Sequence, residues 1–308
     1  MIRLLALLVI TGLGGAALAQ DSQDAVLTEK TTHITDHVDA IMGFPNIGIV
    51  TGSKATLVVD TGLGKANGAL ITRVAKRLSK GSRLYLVTTH YHPEHAAGEI
   101  GFPADTILVR SAVQQDELTK QGPALLALFR KLAPQWGKLL EGVSSMRTPD
   151  IIFDKEMKID LGGVTARILY YGPAHTRGDQ LIFVEPDSVL ISGDVVQNLV
   201  VPQVRTEGGS YESWLKVLDQ LALLKPRYVL PTHSQPGDGS LITKESAFLR
   251  DMRSRTLAMK KQGLSVADAG KRLTEDFKKA WPDYAKSKDW PNLEAVPNFV
   301  EGVYAESK

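Results

Sequence analysis

The sequence predicts a layered α/β sandwich, with helices outside and two β-sheets inside, and two observations carry that prediction. Residues 47–88 read strand, strand, helix, strand, and the last three of these make a βαβ unit with a parallel pairing. Residues 151–233 repeat the theme, with a run of short strands, one helix and a final strand that ends just before a histidine. The chain therefore looks internally duplicated, each half contributing one sheet and its covering helix.

Taken in order, residues 47–50 and 55–60 are β-rich runs joined by Thr51-Gly52-Ser53-Lys54, the composition of a hairpin turn. Asp60-Thr61-Gly62 marks the change from strand to turn, and residues 66–78 carry apolar side chains at helical spacing. Residues 84–88 are short and apolar, as expected of a buried strand that delivers His90 at its carboxyl end. A helical insertion is expected over 113–142, interrupted at Pro134 and Gly137. Its Leu125, Leu126, Leu128, Phe129, Leu132 and Trp136 form one apolar face, to pack on the body or to roof the site. Strands are expected at 151–153, 157–161, 164–170, 181–184 and 189–192. An amphipathic helix follows at 210–224 with Ser210 as its N-cap, then a strand at 228–230 leading into Pro231-Thr232-His233. A helical C-terminal extension is expected over 244–308. Its first helix ends at Gly263, its second opens on the capping box Ser265-Val266-Ala267-Asp268 and stops before Pro282, and Trp281, Tyr284, Trp290 and Phe299 anchor it to the body.

The ends and the composition bound the function. Arg3, the apolar run at 4–10 and Ala17-Leu18-Ala19 have the make-up of a secretory signal peptide over 1–19, which leaves residues 20–308 as the mature domain, periplasmic or secreted and not stably inserted in a membrane. There are no cysteines, which excludes thiolate metal sites, iron–sulfur clusters and cysteine nucleophiles. With 36 basic against 34 acidic residues and no long basic run, a nucleic-acid partner is not expected. The expected partner is a small-molecule substrate.

Three of the seven histidines fall in Thr89-His90-Tyr91-His92-Pro93-Glu94-His95. Imidazole nitrogen and carboxylate oxygen are the donors that suit zinc and related divalent metals. His90 and His92 are two apart on extended chain and point the same way, while Pro93 opens a helical turn that carries Glu94 and His95. Further donors follow predicted strands: His175 in Gly172-Pro173-Ala174-His175-Thr176-Arg177-Gly178-Asp179, Asp194 in Ser192-Gly193-Asp194, and His233. Open α/β sheets collect their sites at such carboxyl ends. His33 and His37 lie in a polar stretch and are read as surface residues.

The order of these motifs resembles the metallo-β-lactamase-fold superfamily of metallohydrolases, whose members carry His-x-His-x-Asp-His, then a lone His, an Asp and a final His. The resemblance spans residues 47–233 and implies an αββα sandwich. It implies that His90, His92 and His175 hold one metal, that Glu94, His95 and His233 hold a second, and that Asp194 bridges them. Zinc is the expected metal, two ions per chain, with iron or manganese as substitutes. Glu94 and Asp194 are the expected catalytic carboxylates, acting on metal-activated water, and the implied substrates are small esters, lactones, amides or β-lactams. One departure stands out, since Glu94 is a methylene longer than the family's Asp. Asp194 also stands where the best-known zinc β-lactamases have Cys or Ser. Asp60 is a candidate to align one histidine from behind, or else a turn residue. Asp179 is expected to brace its loop. Arg177, Tyr171 and Asn198 are candidate substrate contacts, with Tyr91 and Tyr170 beside them in sequence. Two alternatives stay open: a mononuclear iron enzyme resembling the persulfide dioxygenases, with a triad drawn from His90, His92 or His175 and Asp194, and a metal-binding accessory protein without turnover.

Overall fold

Strand residues of alternating direction build the two inner faces of the molecule. A computed structural model describes residues 26–204, 208–288 and 290–307; the expected signal segment lies outside the described residues. The first sheet has seven strands in chain order, β1 (Thr32–Thr35), β2 (Val38–Ile41), β3 (Ile47–Thr51), β4 (Ala55–Val59), β5 (Arg83–Val87), β6 (Ile107–Ser111) and β7 (Ile151–Phe153). It is antiparallel up to β4 and parallel from β4 to β7. The second sheet holds β8 (Glu156–Asp160), β9 (Thr165–Leu169), β10 (Leu181–Glu185), β11 (Val189–Gly193), β12 (Tyr228–Pro231) and β13 (Gly237–Asp238), with β11 and β12 parallel.

Leu57, Val59, Val87 and Val109 of the first sheet meet Ile168, Ile182, Val184, Val189, Ile191 and Leu230 of the second in one apolar layer. The alternate residues point outward. Ile49, Val58, Leu86 and Leu108 bury against Ile71 and Val74 of α1 (Gly64–Leu78). Leu169, Leu181, Phe183 and Leu190 pack under Trp214, Val217, Leu218 and Leu221 of α5 (Tyr211–Leu224). The result is the expected αββα sandwich. Every parallel pair needs a crossover, so the chain returns repeatedly to the same sheet end.

One such crossover gives the 113–142 segment its meaning. After β5 come α2 (Pro93–Ala96) and a 3-10 turn (Ala97–Gly101), and β6 then leads into α3 (Ala112–Leu132) and α4 (Pro134–Leu139) before β7. The segment is thus the β6-to-β7 connection. Ser111 caps α3 by accepting from Gln114 N at 3.2 Å, and Pro134 opens α4 where a missing N–H costs nothing. Leu126 and Trp136 of the expected apolar face are buried; Leu128 and Leu132 are exposed, because the apolar stripe is wider than the surface it meets.

The C-terminal helices are α6 (Ser240–Lys261), α7 (Val266–Ala280), α8 (Pro282–Lys286) and α9 (Asn292–Glu306). Ser265 caps α7 as expected, accepting from Asp268 N at 3.1 Å, while its hydroxyl donates to the Asp268 carboxylate at 2.7 Å. Tyr284 stacks on Phe248 at 4.2 Å, Trp281 meets Phe248 edge-on at 4.9 Å, and Phe299 leans on Tyr211 at 4.6 Å. Phe299 thus anchors the tail to the body as expected, whereas the contacts of Trp281 and Tyr284 with Phe248 join helices within the extension. His37 departs from its expected surface setting. Its Nδ1 lies 2.7 Å from Asp187 Oδ1 and its backbone N donates to the same carboxylate at 3.0 Å, because the turn between β1 and β2 folds onto the turn between β10 and β11. His33 is exposed, beside Asp39.

Glu245 on α6 is fully buried, and neither carboxylate oxygen has a hydrogen-bond partner among the described residues. Burial pushes its carboxyl well above its ordinary value of 4.5. The native state then keeps a proton that the unfolded chain gives up, so this stability is present in full below pH 4.5 and is lost as pH rises toward the raised folded value. Glu245→Leu should raise Tm by roughly 3–6 °C at pH 7.5, with a smaller gain at pH 4.5, in thermal melts of metal-free protein. Equal gains at the two pH values would refute this account of Glu245.

Candidate metal centre

Five imidazoles and two carboxylates meet at the carboxyl ends of β5, β9, β11 and β12. Thr88 and Thr89 carry the chain out of β5, and His90 and His92 follow in a run of bends, His92 itself extended. Pro93 then turns it into α2, so that Glu94 and His95 fall within one helical turn of the same spot. The loop after β9 brings His175, the end of β11 brings Asp194, and the end of β12 brings His233. Three donor sets have ligand atoms within 4.8 Å of one another: His90, His92 and His175; His90, His95 and Asp194; and Glu94, His95 and His233.

Asp194 sits between them. Its Oδ2 lies 3.4 Å from His175 Nε2 and 4.0 Å from His90 Nε2, whereas its Oδ1 lies 3.5 Å from His233 Nε2 and 3.9 Å from His95 Nε2. Each oxygen thus faces a different group of imidazoles. Glu94 reaches the second group despite its extra methylene, with Oε1 3.9 Å from His95 Nε2. His95 Nε2 and His233 Nε2 approach to 3.2 Å, and His175 Nε2 and His92 Nδ1 to 3.3 Å.

The protonation pattern suits metal ions. Burial, reinforced by the imidazoles of His95, His92, His175 and His233, holds His90 well below the ordinary histidine range. A neutral ring with a free lone pair is the ligand form, and His90 Nε2 is buried without a hydrogen-bond partner among the described residues. Burial would lower His95 as well, but Asp60, Asp194 and Glu94 outweigh it and hold the ring up to about 9. Cation binding at that ring displaces its proton. Burial acts to raise Asp194, but His233, His175, His95 and the Thr232 hydroxyl keep it well below the usual carboxylate range. The donor set of neutral imidazoles and ionised carboxylates fits divalent metals.

Partners behind the ring nitrogens hold the rings. Asp60 Oδ2 lies 2.9 Å from His95 Nδ1, and the same carboxylate accepts from Thr89 N at 2.6 Å and Thr89 Oγ1 at 2.9 Å. Asp60 follows β4 at φ +71°, a left-handed conformation that Asp tolerates better than most residues. His175 Nδ1 faces the carbonyl of Gln203 at 2.6 Å. Gln197 ties two ligand segments together: its amide donates to Asp194 Oδ1 at 3.2 Å, and its carbonyl accepts from His233 N at 3.3 Å. Asp179 braces the His175 loop by accepting from Thr176 N at 2.9 Å. Gln197, Gln203 and Thr89 were not read from sequence; Gln197 lies three residues after Asp194, and Gln203 carries no local signal.

The expected substrate contacts are dispersed. The Arg177 guanidinium pairs with Asp116 on α3. Asn198 is tied to Gln235 O at 3.4 Å through its side chain and to Ser234 Oγ at 2.8 Å through its backbone. Tyr171 packs against the helical layer over the second sheet, beside Arg167 and Glu156. Tyr91 is buried and donates to Gln121 Oε1 of α3 at 2.9 Å, and Tyr170 packs in the layer between the sheets. Two aromatic rings crowd His233 instead, and a third backs one of them. Phe44 lies 4.5 Å and Trp290 5.4 Å from it, and Trp136 stacks on Phe44 at 5.7 Å. Trp290, expected as a tail anchor, reaches the site from the segment between α8 and α9.

Fold and site define a two-sheet α/β protein with a buried His-rich metal cluster at its strand ends. Residues 41–233 match the model of the metallo-beta-lactamase superfamily, and the chain belongs to that superfamily. Relatives of this chain are named for hydrolase activities, a sulfatase and a thioesterase, in line with the expected enzyme class. The chain is similar to a linear primary-alkylsulfatase from Pseudomonas sp. (strain ATCC 19151), 24% identical over 222 residues, with 62% of this chain and 42% of the relative covered. It is also similar to the human acyl-coenzyme A thioesterase MBLAC2, 27% identical over 210 residues, covering 61% of this chain and 72% of that one. The chain thus spans less than half the length of the alkylsulfatase. Among solved structures, a metallo-beta-lactamase from Pontibacter korlensis superposes with a TM-score of 0.58 at 20% identity, over 73% of this chain and 99% of its own. The stereoselective inverting sec-alkylsulfatase Pisa1 from Pseudomonas sp. superposes with a TM-score of 0.67 at 13% identity, over 94% of this chain and 52% of its own. Both likenesses are of fold.

Asp60→Asn keeps the shape of the left-handed corner but removes the charge facing His95. It should weaken metal binding about 10–100-fold in chelator-competition titrations while leaving the far-UV spectrum unchanged. Unchanged affinity would mean that Asp60 serves the turn alone.

Proposed function

We propose that the protein is an exported zinc hydrolase with two metal ions, which cleaves an ester-type bond, carboxylic, thioester or sulfate, or the ring of a lactone or β-lactam, in a small substrate. The observation that carries the reading is Asp194, whose two oxygens face two different imidazole groups, each able to hold one cation. Export is supported by the composition of residues 1–19. The relatives named for thioester and alkyl sulfate substrates support the bond class. Phe44 and Trp290 beside His233 favour a substrate with an apolar part against the second metal position.

In this reading His90, His92 and His175 would hold one ion, His95, His233 and Glu94 the other, and Asp194 would serve both. Bound divalent ions supply Lewis acidity to the scissile group and lower the pKa of water. The chain's own residues do the remaining work. The Glu94 carboxylate orients the attacking water and takes its proton at an Oε atom. Asp60 and the Gln203 carbonyl keep His95 and His175 turned toward the ions. The walls leave Glu94 and His92 almost entirely buried, so bulk water is kept from the reacting bond.

Purified protein, stripped with chelator and reloaded with zinc, should bind close to two equivalents by elemental analysis. It should turn over at least one of p-nitrophenyl esters, acyl-coenzyme A, alkyl sulfates, acyl-homoserine lactones and nitrocefin. Chelation should abolish turnover and zinc restore it. Full loading with no turnover on any of these would sink the hydrolase reading. Glu94→Asp should keep both equivalents of metal and lower kcat by about 10-fold or more, because the shorter acid stands farther from the water it orients. Loss of one equivalent would instead make Glu94 primarily a ligand.

A further inference from the structure

We propose that Glu117, on the crossover helix α3, is a positioning residue for His175, holding the His175 loop at the height the metal position needs. The inference rests on the reading of His175 as a metal ligand.

The loop that presents His175 has two supports. One is the Gln203 carbonyl, which sets the rotation of the ring. The other is the Glu117 carboxylate, fully buried in the second turn of α3. Its Oε1 accepts from Arg177 N and its Oε2 from Gly178 N, each at 3.0 Å. Those two amides lie two and three residues beyond His175. Contact between helix and loop is close, because a Cβ on Gly178 would lie 2.6 Å from the Cα of Gln114, one turn earlier on α3. Internal bonds make the loop stiff: Ala174 N donates to Thr176 O at 2.9 Å, and Thr176 is held at both backbone N and Oγ1 by Asp179. A stiff loop bolted at 177–178 carries position 175 with it.

A carboxylate suits this task. Two converging N–H donors need two acceptor oxygens, and an amide would turn its own N–H toward one of them. The Arg177 guanidinium is paired with Asp116, so Glu117 is left to the two backbone amides and the Thr176 hydroxyl beside them. Burial pushes the Glu117 carboxyl up to about 7 against the pull of those bonds. An acid kept in so unfavourable a place, one step behind a metal ligand, fits a role in holding that ligand. The crossover helix thereby becomes part of the frame of the metal centre.

The test uses the full chain and zinc, with affinity read by competition against a chromogenic chelator and geometry read from the visible bands of the cobalt-substituted protein. Glu117→Gln and Gly178→Ala disturb the same contact from opposite sides. Each should lower the affinity for the tighter equivalent about 10–100-fold and shift the cobalt bands. Lys131→Ala, on the exposed side of the same helix, should change neither. In the unaltered chain, zinc should slow hydrogen exchange at the Arg177 and Gly178 amides, a readout independent of any variant's folding. If His175→Ala loses metal but both contact variants bind zinc like the parent, Glu117 is not a positioning residue. If zinc leaves the exchange of those two amides unchanged, the proposal falls as well. If His175→Ala itself binds zinc like the parent, the ligand assignment has failed rather than the role of Glu117.

Discussion

Everything in this molecule depends on keeping Asp194 ionised at the centre of five imidazoles. Burying a carboxylate costs several kcal/mol unless positive charge or strong donors surround it. Here Thr232 Oγ1 donates to Oδ1, as does Gln197, and imidazole nitrogens face both oxygens. The imidazoles cannot all be protonated, since they sit against one another and burial penalises each charge. His90 and His95 show the two ways out: one is held neutral by burial and its neighbours, the other is held charged by carboxylates. Once His95 gives up its proton, ionised carboxylates among neutral rings leave a deficit of positive charge that a divalent cation suits.

Such a cluster survives only on a rigid frame. The rings come from strand ends of both sheets, and partners fix the segments that carry them: Asp60 behind His95, the Gln203 carbonyl behind His175, and Gln197 between Asp194 and the His233 backbone. The frame extends outward through the crossovers. α3 contributes Glu117 and Gln114 to the loops that carry His175 and His90, the latter through Gln114 Nε2 to Thr88 O at 2.9 Å. The C-terminal helices do more than cover the second sheet, because the segment between α8 and α9 lays Trp290 beside His233. Parallel pairing makes this possible, since each return to the same end of a sheet brings another loop to the site.

Local signals made the ligands and most of the inner strands legible. His90, His92, Glu94 and His95 share one short segment; His175, Asp194 and His233 each follow a run of apolar, β-favouring residues. β3, β4 and β5 were readable from their apolar runs and the turn between the first two. β1 and β2 were not, because THIT and VDAI are short and half polar, and they become strands by pairing with β3. β6 was missed as well, so the place of the 113–142 helical insertion between two parallel strands was not legible.

The sequence by itself determined the donor set, the αββα layering and the superfamily, because ligand type, spacing and apolar periodicity are properties of neighbouring residues. Tertiary structure alone decided that Asp194 divides its oxygens between two imidazole groups, that Asp60 faces His95, and that Glu94 reaches the second group despite its length. It also decided that Glu117 and Trp290, 58 and 57 residues from His175 and His233, stand beside the site. Such contacts are set by how crossover and tail helices dock on finished sheets, and no local pattern in the chain encodes that docking.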